Sequence, residues 1–271
     1  MQETTRQVHR PILRMGSIAF LAGVFIVVTS TMLHPSREDP SNHPQVFREY
    51  ANSDSWIAIH IGQFVGGMVV FGGGFGVLHS LLVRSESGTA STLSWIGFAV
   101  AIMTASVIAI LQAVDGIALK MAVDSWTAAP AEEKAITFRV AEGIRWIEYG
   151  TNSIFRILQG TVAIIFGLAI AKSMLLTRWI GGGGVIVGAI SIIAGIEVAY
   201  VGFGYTNFIG VRGISMIIYF IWVAIIGAFM WGKTISKRVL LTKSLISIQW
   251  KKQKKHYSRQ MECIVHHANQ F

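Results

Sequence analysis

The chain has 271 residues, of which 52% are hydrophobic and only 14% are charged. Soluble domains contain roughly 25% charged residues, so the composition excludes one or two ordinary soluble domains and predicts a polytopic, all-α membrane protein. The formal net charge is +9. Much of this excess lies near the C-terminus, where nine Lys and Arg residues and no Asp or Glu occur between Lys233 and Arg259.

The first predicted element is a membrane span over residues 12–33, preceded by a short polar and basic segment, residues 1–11. The apolar run is long enough for a bilayer, which needs about 20 residues. A signal peptide also begins with a basic segment and an apolar core, but its core is usually about 7–15 residues long. No small-x-small cleavage pattern precedes His34, so we expect the helix to be retained.

The second predicted span covers residues 56–83 and follows a polar, proline-rich loop in which residues 45–51 suggest one short helix. Trp56 stands where an interfacial anchor is expected. The span is rich in glycine, and small-xxx-small spacings let another helix backbone approach closely. The triple glycine alternatively indicates a broken helix that lines a cavity. These glycines are Gly62, Gly66, Gly67, Gly72, Gly73, Gly74 and Gly76.

The third predicted span, residues 92–119, is followed by the longest polar connection in the chain. In that connection Pro130 and the two acids after it are typical of a helix start. Its apolar side predicts a helix on the membrane surface that bends inward at Gly143 and Gly150. The remaining predicted spans are residues 152–174, 179–203 and 213–231, which makes a six-helix transmembrane domain over residues 12–232.

Six polar side chains form a stripe on the helix that leads into the fourth span. They are three or four residues apart, and at 100° per residue they fall within an arc of about 120°. Charged groups in a bilayer are costly, so they normally face partners or a water-filled cavity. Ala163 and Phe166 continue the same face, which predicts a one-sided vestibule closed below by apolar packing. The stripe consists of Glu142, Arg145, Glu148, Asn152, Arg156 and Gln159.

The distribution of positive charge predicts the orientation. Six spans place both termini on one side, and fifteen of the 23 Lys and Arg residues fall on that side, which predicts that both termini are cytoplasmic and that the protein lies in the plasma or inner membrane. The basic tail, residues 233–271, is expected to contact anionic lipids. Nucleic acid is not expected as a partner, because no folded domain stands behind the tail.

With this topology the extracytoplasmic third receives polar residues from all six spans. A buried polar cluster at one depth is the default functional-site hypothesis in a membrane protein. The structural alternative is a network in which Arg156 pairs with Asp115 or Glu197, and some of these residues alternatively face solvent at the ends of the spans. The candidate ligand-binding residues are Arg156, Gln159, Asn152, His60, Gln63 and Glu197, with Glu148, Asp115 and Arg145 as orienting or charge-balancing residues.

A metal or haem site is the most specific chemical hypothesis. His34 and His60 lie on the same side of the predicted bundle, and a site that adds Asp115 or Glu148 is allowed by ligand type. Haem held by two histidines needs them on facing helices at matching depth. The third to sixth spans contain no histidine, which argues against a multi-haem cytochrome.

Three functions remain open from the sequence. The leading hypothesis is a membrane protein whose extracytoplasmic pocket binds a small polar or anionic ligand, for transport or sensing. Catalysis is less expected, because no GxSxG, HExxH or CxxC motif occurs. The alternatives are a structural subunit whose glycine faces pack against a membrane-protein partner or a second copy, and a metal- or haem-dependent oxidoreductase that uses His34 and His60.

Overall fold

The computed structural model describes residues 2–35, 37–86, 88–204 and 213–234, with side chains from Arg10 onward. The chain divides into two compact units, residues 1–230 and residues 231–271. Of the second unit the structure describes residues 231–234, which are helical. The predicted basic tail otherwise lies outside the described residues.

Seven helices make up the described chain, and six of them are long and apolar enough to cross a membrane, with mean hydropathies of 1.6 to 2.2. The prediction of an all-α protein with six membrane-length helices is therefore confirmed, and the chain is a polytopic membrane protein. The helices are α1 Gln2–Met32, α2 His43–Ala51, α3 Trp56–Ser85, α4 Thr89–Ala128, α5 Lys134–Lys172, α6 Arg178–Val201 and α7 Gly213–Thr234.

The predicted surface helix and fourth span form one continuous helix, α5, of 39 residues. The chain is helical through both Gly143 and Gly150, so neither glycine ends the helix. A Cβ atom placed on either glycine would meet nothing within 4 Å, and neither residue has a positive φ. Because nothing forces the backbone to turn at either position, the intrahelical hydrogen bonds continue.

Two helices contain a π-helical segment. The segment in α3 is Val69–Gly74, which includes the triple glycine, and the segment in α4 is Ala113–Leu119, which includes Asp115. A π segment inserts an extra residue into a turn and re-aims the side chains beside it, and such segments are frequent at functional sites. The triple glycine thus changes the helical pitch of α3 without breaking the helix.

Glycines bring two pairs of helices into backbone contact. On α3, a Cβ at Gly66 would lie 2.8 Å from the backbone nitrogen of Val27 and 2.9 Å from the carbonyl oxygen of Gly23 on α1. On α5, a Cβ at Gly160 would collide with the carbonyl oxygen of Gly188 on α6. Small residues allow this approach, and van der Waals contact rather than the hydrophobic effect holds such helices together in a bilayer.

The end of the bundle away from the polar stripe is a continuous apolar core. Phe75 on α3 lies 4.8 Å from Phe166 on α5, measured between ring centroids, and both side chains are fully buried. Trp222 on α7 packs 6.2 Å from Phe75 and donates an indole hydrogen bond of 2.9 Å to the carbonyl oxygen of Ile180. This packing closes the bundle below the polar residues.

A second, smaller apolar cluster holds α2 against α4 and α5. Phe47 of α2 is fully buried and lies 6.2 Å from Trp126 and 5.7 Å from Phe138. Trp56 belongs to the same cluster and is fully buried, so its prediction as an interfacial anchor is wrong. The loop helix α2, predicted over residues 45–51, covers Trp56 and removes it from the surface.

We expect Gly160→Ala to destabilise the bundle by about 1–3 kcal/mol, because the added methyl group meets the rigid backbone of Gly188. The measurement is thermal or SDS-induced unfolding of the protein in nanodiscs. Gly143→Ala on the same helix is the matched control, since its methyl group would enter open space and alanine favours a helix by about 1 kcal/mol. Equal effects of the two substitutions would contradict the backbone contact.

Candidate functional site

A cavity of about 390 Å³ lies between α1, α3, α4, α5 and α7, above the apolar core. Its upper wall is polar and its lower wall is apolar, with Phe71, Phe155 and Phe220 among the apolar residues. The polar residues that line it are Thr31, His34, Glu38, Tyr50, Gln63, Gln112, Asp115, Arg145, Glu148, Asn152, Arg156 and Gln159.

Most of the predicted site residues meet at this cavity. Five of the six stripe residues line it, whereas Glu142 does not. His60 lies directly behind its wall, in contact with His34 and Asp115. Glu197 is on α6, and α6 contributes none of the described lining residues. The reason is that the glycine face of α6 packs against the other side of α5.

Glu142 forms a separate cluster at the outer edge of the protein. It pairs with Arg139 and with Nδ1 of His43 on α2, which is 3.1 Å from its carboxylate. Nε2 of His43 lies 3.2 Å from the hydroxyl of Tyr149. Glu142 therefore connects α5 to α2. The cavity begins about one helical turn later, at Arg145.

Arg145 and Glu148 form an ion pair that is almost fully closed to solvent. Nη1 of Arg145 donates a 2.6 Å hydrogen bond to Oε2 of Glu148, and each side chain is 3% exposed. Three aromatic rings surround the guanidinium, with the centroids of Tyr50, Tyr149 and Phe203 5.0 to 5.4 Å from Cζ. Such rings attract a cation through the negative charge of their faces, so Arg145 is fixed on all sides.

Arg156 links two helices across the cavity. Its Nε donates a 2.7 Å hydrogen bond to Oδ1 of Asn152, one turn earlier on α5, and its Nη1 donates a 3.2 Å bond to Oγ of Ser215 on α7. Neither Asp115 nor Glu197, its predicted carboxylate partners in the structural alternative, appears in these bonds. Arg156 therefore lies in the cavity wall and bonds the side chains of both helices.

His34, His60 and Asp115 form a compact three-residue cluster. Nε2 of His60 lies 3.1 Å from Oδ2 of Asp115, and the rings of His34 and His60 are 5.2 Å apart between centroids. One ligating atom from each of the three residues lies within 4.8 Å of the other two. Because His34 and Asp115 also line the cavity, this cluster forms part of its wall.

Backbone carbonyl groups fix both imidazole rings of the cluster. Nδ1 of His60 lies 2.7 Å from the carbonyl oxygen of Trp56, and Nδ1 of His34 lies 2.6 Å from that of Pro35. Trp56 and Tyr50 pack against these rings, and their own ring centroids are 4.0 Å apart.

Burial lowers the pKa of His34 below its ordinary value, against the attraction of the Asp115 carboxylate, and raises the pKa of Tyr50 well above its usual range.

Gly116 in the π-helical segment of α4 allows α3 to approach Asp115. A Cβ atom at Gly116 would collide with Cβ of His60 and lie 2.8 Å from its Cγ. The indole of Trp56 donates a 3.1 Å hydrogen bond to the carbonyl oxygen of Asp115. These contacts set the position of the Asp115 carboxylate relative to His60.

Three polar atoms of the cavity residues are buried and have no hydrogen-bond partner among the described residues. Oε1 of Gln112 and Oδ1 of Asp115 are acceptors, whereas Nε of Arg145 is a donor. Buried polar groups are nearly always hydrogen-bonded in proteins, to water or a ligand where the protein supplies no partner. All three atoms lie on residues that line the cavity.

Sequence reasoning missed Tyr50, Gly116, Phe203 and the structural role of Trp56 at this site. Tyr50 and Phe203 come from outside the long helices, so no helical period connects them with the stripe. For Gly116 a signal existed: it follows Asp115 directly near the end of an otherwise apolar helix. A small residue beside a buried acid indicates that another helix approaches there.

Comparison of the chain with models of protein families, with curated proteins and with solved structures gave no match.

We expect Glu148→Gln to lower the free energy of unfolding by about 3–5 kcal/mol, because it leaves the buried Arg145 cation without its counter-charge. The check is chemical unfolding in nanodiscs, followed through tryptophan fluorescence. The control is Asp124→Asn, which breaks the ion pair between Lys120 and Asp124. The Asp124 side chain is 48% exposed, and exposed ion pairs contribute about 0–1 kcal/mol to stability. If both variants lose the same small free energy of unfolding, Glu148 does not stabilise the buried Arg145 cation.

Proposed function

We propose that this membrane protein binds a small polar or anionic ligand in the cavity, from the extracytoplasmic side, and serves in transport or sensing. The observation that carries the proposal is the cavity itself, on which five residues of the polar stripe converge with His34, Gln63 and Asp115 from other parts of the bundle. Its volume of about 390 Å³ falls in the range of about 300–1,000 Å³ that is usual for small-molecule sites. Arg156 is the electrostatic anchor, and Asn152, Gln159 and Gln63 are further contacts.

The charges of the wall favour a small ligand of low charge. Arg145 and Arg156 supply two positive charges, and Glu38, Asp115 and Glu148 supply three carboxylates. Glu148 is committed to Arg145, so we assign the role of anion anchor to Arg156, the second arginine of the wall. An anion therefore binds beside Arg156 or requires a further cation.

The apolar floor bears on transport. Phe75 and Phe166 are in contact below the cavity, and both are fully buried. A ligand that crosses the membrane has to separate them, so transport requires the inner half of the bundle to move, whereas sensing requires no passage.

We further propose that both termini are cytoplasmic and that the tail, residues 233–271, contacts anionic lipids of the plasma or inner membrane. This orientation opens the polar end of the cavity to the outside. The first turns of α5 then lie at the outer membrane surface. Exposed Ile136, Val140 and Trp146 support this placement, because large apolar and aromatic side chains are favoured at that boundary.

The alternative of a structural subunit loses its main support, because the glycine faces are used within the chain. Gly66 meets α1, Gly160 and Gly188 meet each other, and Gly184 meets Trp222. The haem alternative is also disfavoured, because the rings of His34 and His60 touch edge to face and leave no space for a porphyrin plane between them. A second candidate, a site for a metal ion, keeps its support from the cluster of His34, His60 and Asp115.

We expect Arg156→Gln to weaken ligand binding at least tenfold, because it removes the cation at the wall and keeps a side chain of similar shape. The measurement is isothermal titration of the protein in nanodiscs with acetate, inorganic phosphate and glycine as probes. Arg139→Gln is the matched control: Arg139 is also on α5, but its side chain is 74% exposed and it does not line the cavity.

Arg156→Lys restores the positive charge and should recover part of the ligand affinity. This recovery distinguishes loss of the charge from loss of the folded structure. Saturable binding that is unchanged in Arg156→Gln would contradict the role of Arg156. The ligand-binding proposal itself fails if none of the three probes binds the folded wild-type protein.

The orientation predicts that Cys263, the chain's single cysteine, is inaccessible to a membrane-impermeant maleimide in intact cells and reacts after permeabilisation. The comparison variant carries Cys263→Ser and Ser41→Cys, which moves the thiol to the exposed loop before α2. That variant should react in intact cells. The reverse labelling pattern would contradict the proposed orientation.

A further inference from the structure

We propose that His34, His60 and Asp115 bind one divalent first-row transition metal ion in the wall of the cavity, with an open coordination position toward the cavity. The inference rests on the proposed function, because it names the cation beside which an anionic ligand binds. It is carried by the geometry of the three side chains, and the following steps build it from their hydrogen bonds.

The three ligating atoms already converge. A tetrahedral zinc ion with bonds of about 2.0–2.1 Å places its ligand atoms about 3.3 Å apart. Nε2 of His60 and Oδ2 of Asp115 are 3.1 Å apart, which fits this spacing, and His34 completes a set whose separations do not exceed 4.8 Å.

The hydrogen bonds of the two rings leave Nε2 as the ligating nitrogen. A carbonyl oxygen only accepts hydrogen bonds, so the nitrogen beside it carries a proton. That nitrogen is Nδ1 in both rings, bonded to the carbonyl of Trp56 in His60 and to that of Pro35 in His34. Metal-binding histidines almost always donate their other ring N–H in this way, which fixes the tautomer and the ring orientation.

The contact between His60 and Asp115 then requires a positive charge. With the proton on Nδ1, a neutral imidazole presents a lone pair at Nε2, and the carboxylate 3.1 Å away presents another. Two acceptors at this distance repel unless a proton or a metal ion lies between them. A proton on Nε2 satisfies this pair but makes no bond with His34, whereas one metal ion binds all three residues.

The donor set and its surroundings match a metal site with an open position. Two imidazoles and one carboxylate are ligands of catalytic zinc sites, which keep a fourth position for water or substrate, and of non-haem ferrous sites. His34 and Asp115 both line the cavity, so the open position faces the proposed ligand. The two added positive charges would offset the excess of carboxylates in the wall.

The buried surroundings hold the ligands in place. Gly116 leaves room for His60 beside Asp115, and the indole of Trp56 bonds the carbonyl oxygen of Asp115. Trp56 is fully buried and its ring lies 4.5 Å from that of His60. A ligand set fixed by packing and backbone contacts loses little entropy when the ion binds.

The test uses the full-length protein in nanodiscs, stripped with a chelator and titrated with Co²⁺ and Zn²⁺, with elemental analysis of the protein as purified. We expect one equivalent of metal and visible d–d absorption bands with Co²⁺. His34→Gln, His60→Gln and Asp115→Asn should each weaken binding at least tenfold. The control is His79→Gln, a buried histidine at the other end of α3 whose Nδ1 bonds Oγ of Ser94 at 3.0 Å; it should bind like the wild type.

His60 is fully buried, so if its variant fails to fold, the decision rests on the partly exposed His34. A folded wild-type protein that binds no metal, or binds it equally well after His34→Gln and Asp115→Asn, overturns the inference in favour of a proton between His60 and Asp115. Azide should bind at the open coordination position and shift the cobalt absorption bands. Bands that azide does not shift would overturn the open coordination position. Metal binding without Arg156-dependent binding of acetate, phosphate or glycine would overturn the proposed function alone.

Discussion

The burial of the Arg145–Glu148 ion pair is the constraint on which the outer half of the structure depends. Removing two charges from water costs several kcal/mol for each ion, and their attraction offsets this only when the geometry is close and the remaining surface is well packed. The 2.6 Å contact meets the first condition. The rings of Tyr50, Tyr149 and Phe203 meet the second. Because Tyr50 belongs to α2, the loop helix has to dock before the pair is enclosed, and its docking also buries Trp56 and positions His60 and His34.

The ion pair also divides the polar residues into three groups with different roles. Arg145 and Glu148 balance each other and hold the wall together. Arg156 donates hydrogen bonds to Asn152 and Ser215 and so joins α5 to α7 at the cavity wall. His34, His60 and Asp115 bring two nitrogens and a carboxylate together next to the same cavity. The charged stripe on α5 therefore has different partners along its length: His43 and Arg139 at Glu142, aromatic rings at Arg145, and Asn152 and Ser215 at Arg156.

The sequence predicted the features that follow from helical periodicity and failed where tertiary packing decides. A period of 3.6 residues placed Arg145, Glu148, Asn152, Arg156 and Gln159 on one face, and all five line the cavity. The same period cannot show which helix faces the stripe, so Glu197 was grouped with residues that lie on the other side of α5. The π-helical segment around Asp115 leaves no mark in a hydrophobic pattern. The burial of Trp56 depends on α2, which contacts it from a loop that has no transmembrane period.

Depth separates the two halves of the bundle by the kind of contact that stabilises them. The inner half is held by ring packing such as that of Phe75 on Phe166 and by backbone contacts such as that of Gly160 with Gly188. These contacts depend on close fit, and each weakens steeply when the helices separate. The half that holds the cavity adds directed polar bonds to its own apolar cluster around Phe47 and Trp56, and Arg156 bonds α5 to α7 at the level of the cavity. Under the proposed function, a ligand that competes for Arg156 would act on the contact between α5 and α7, and through that contact on the apolar packing below the cavity.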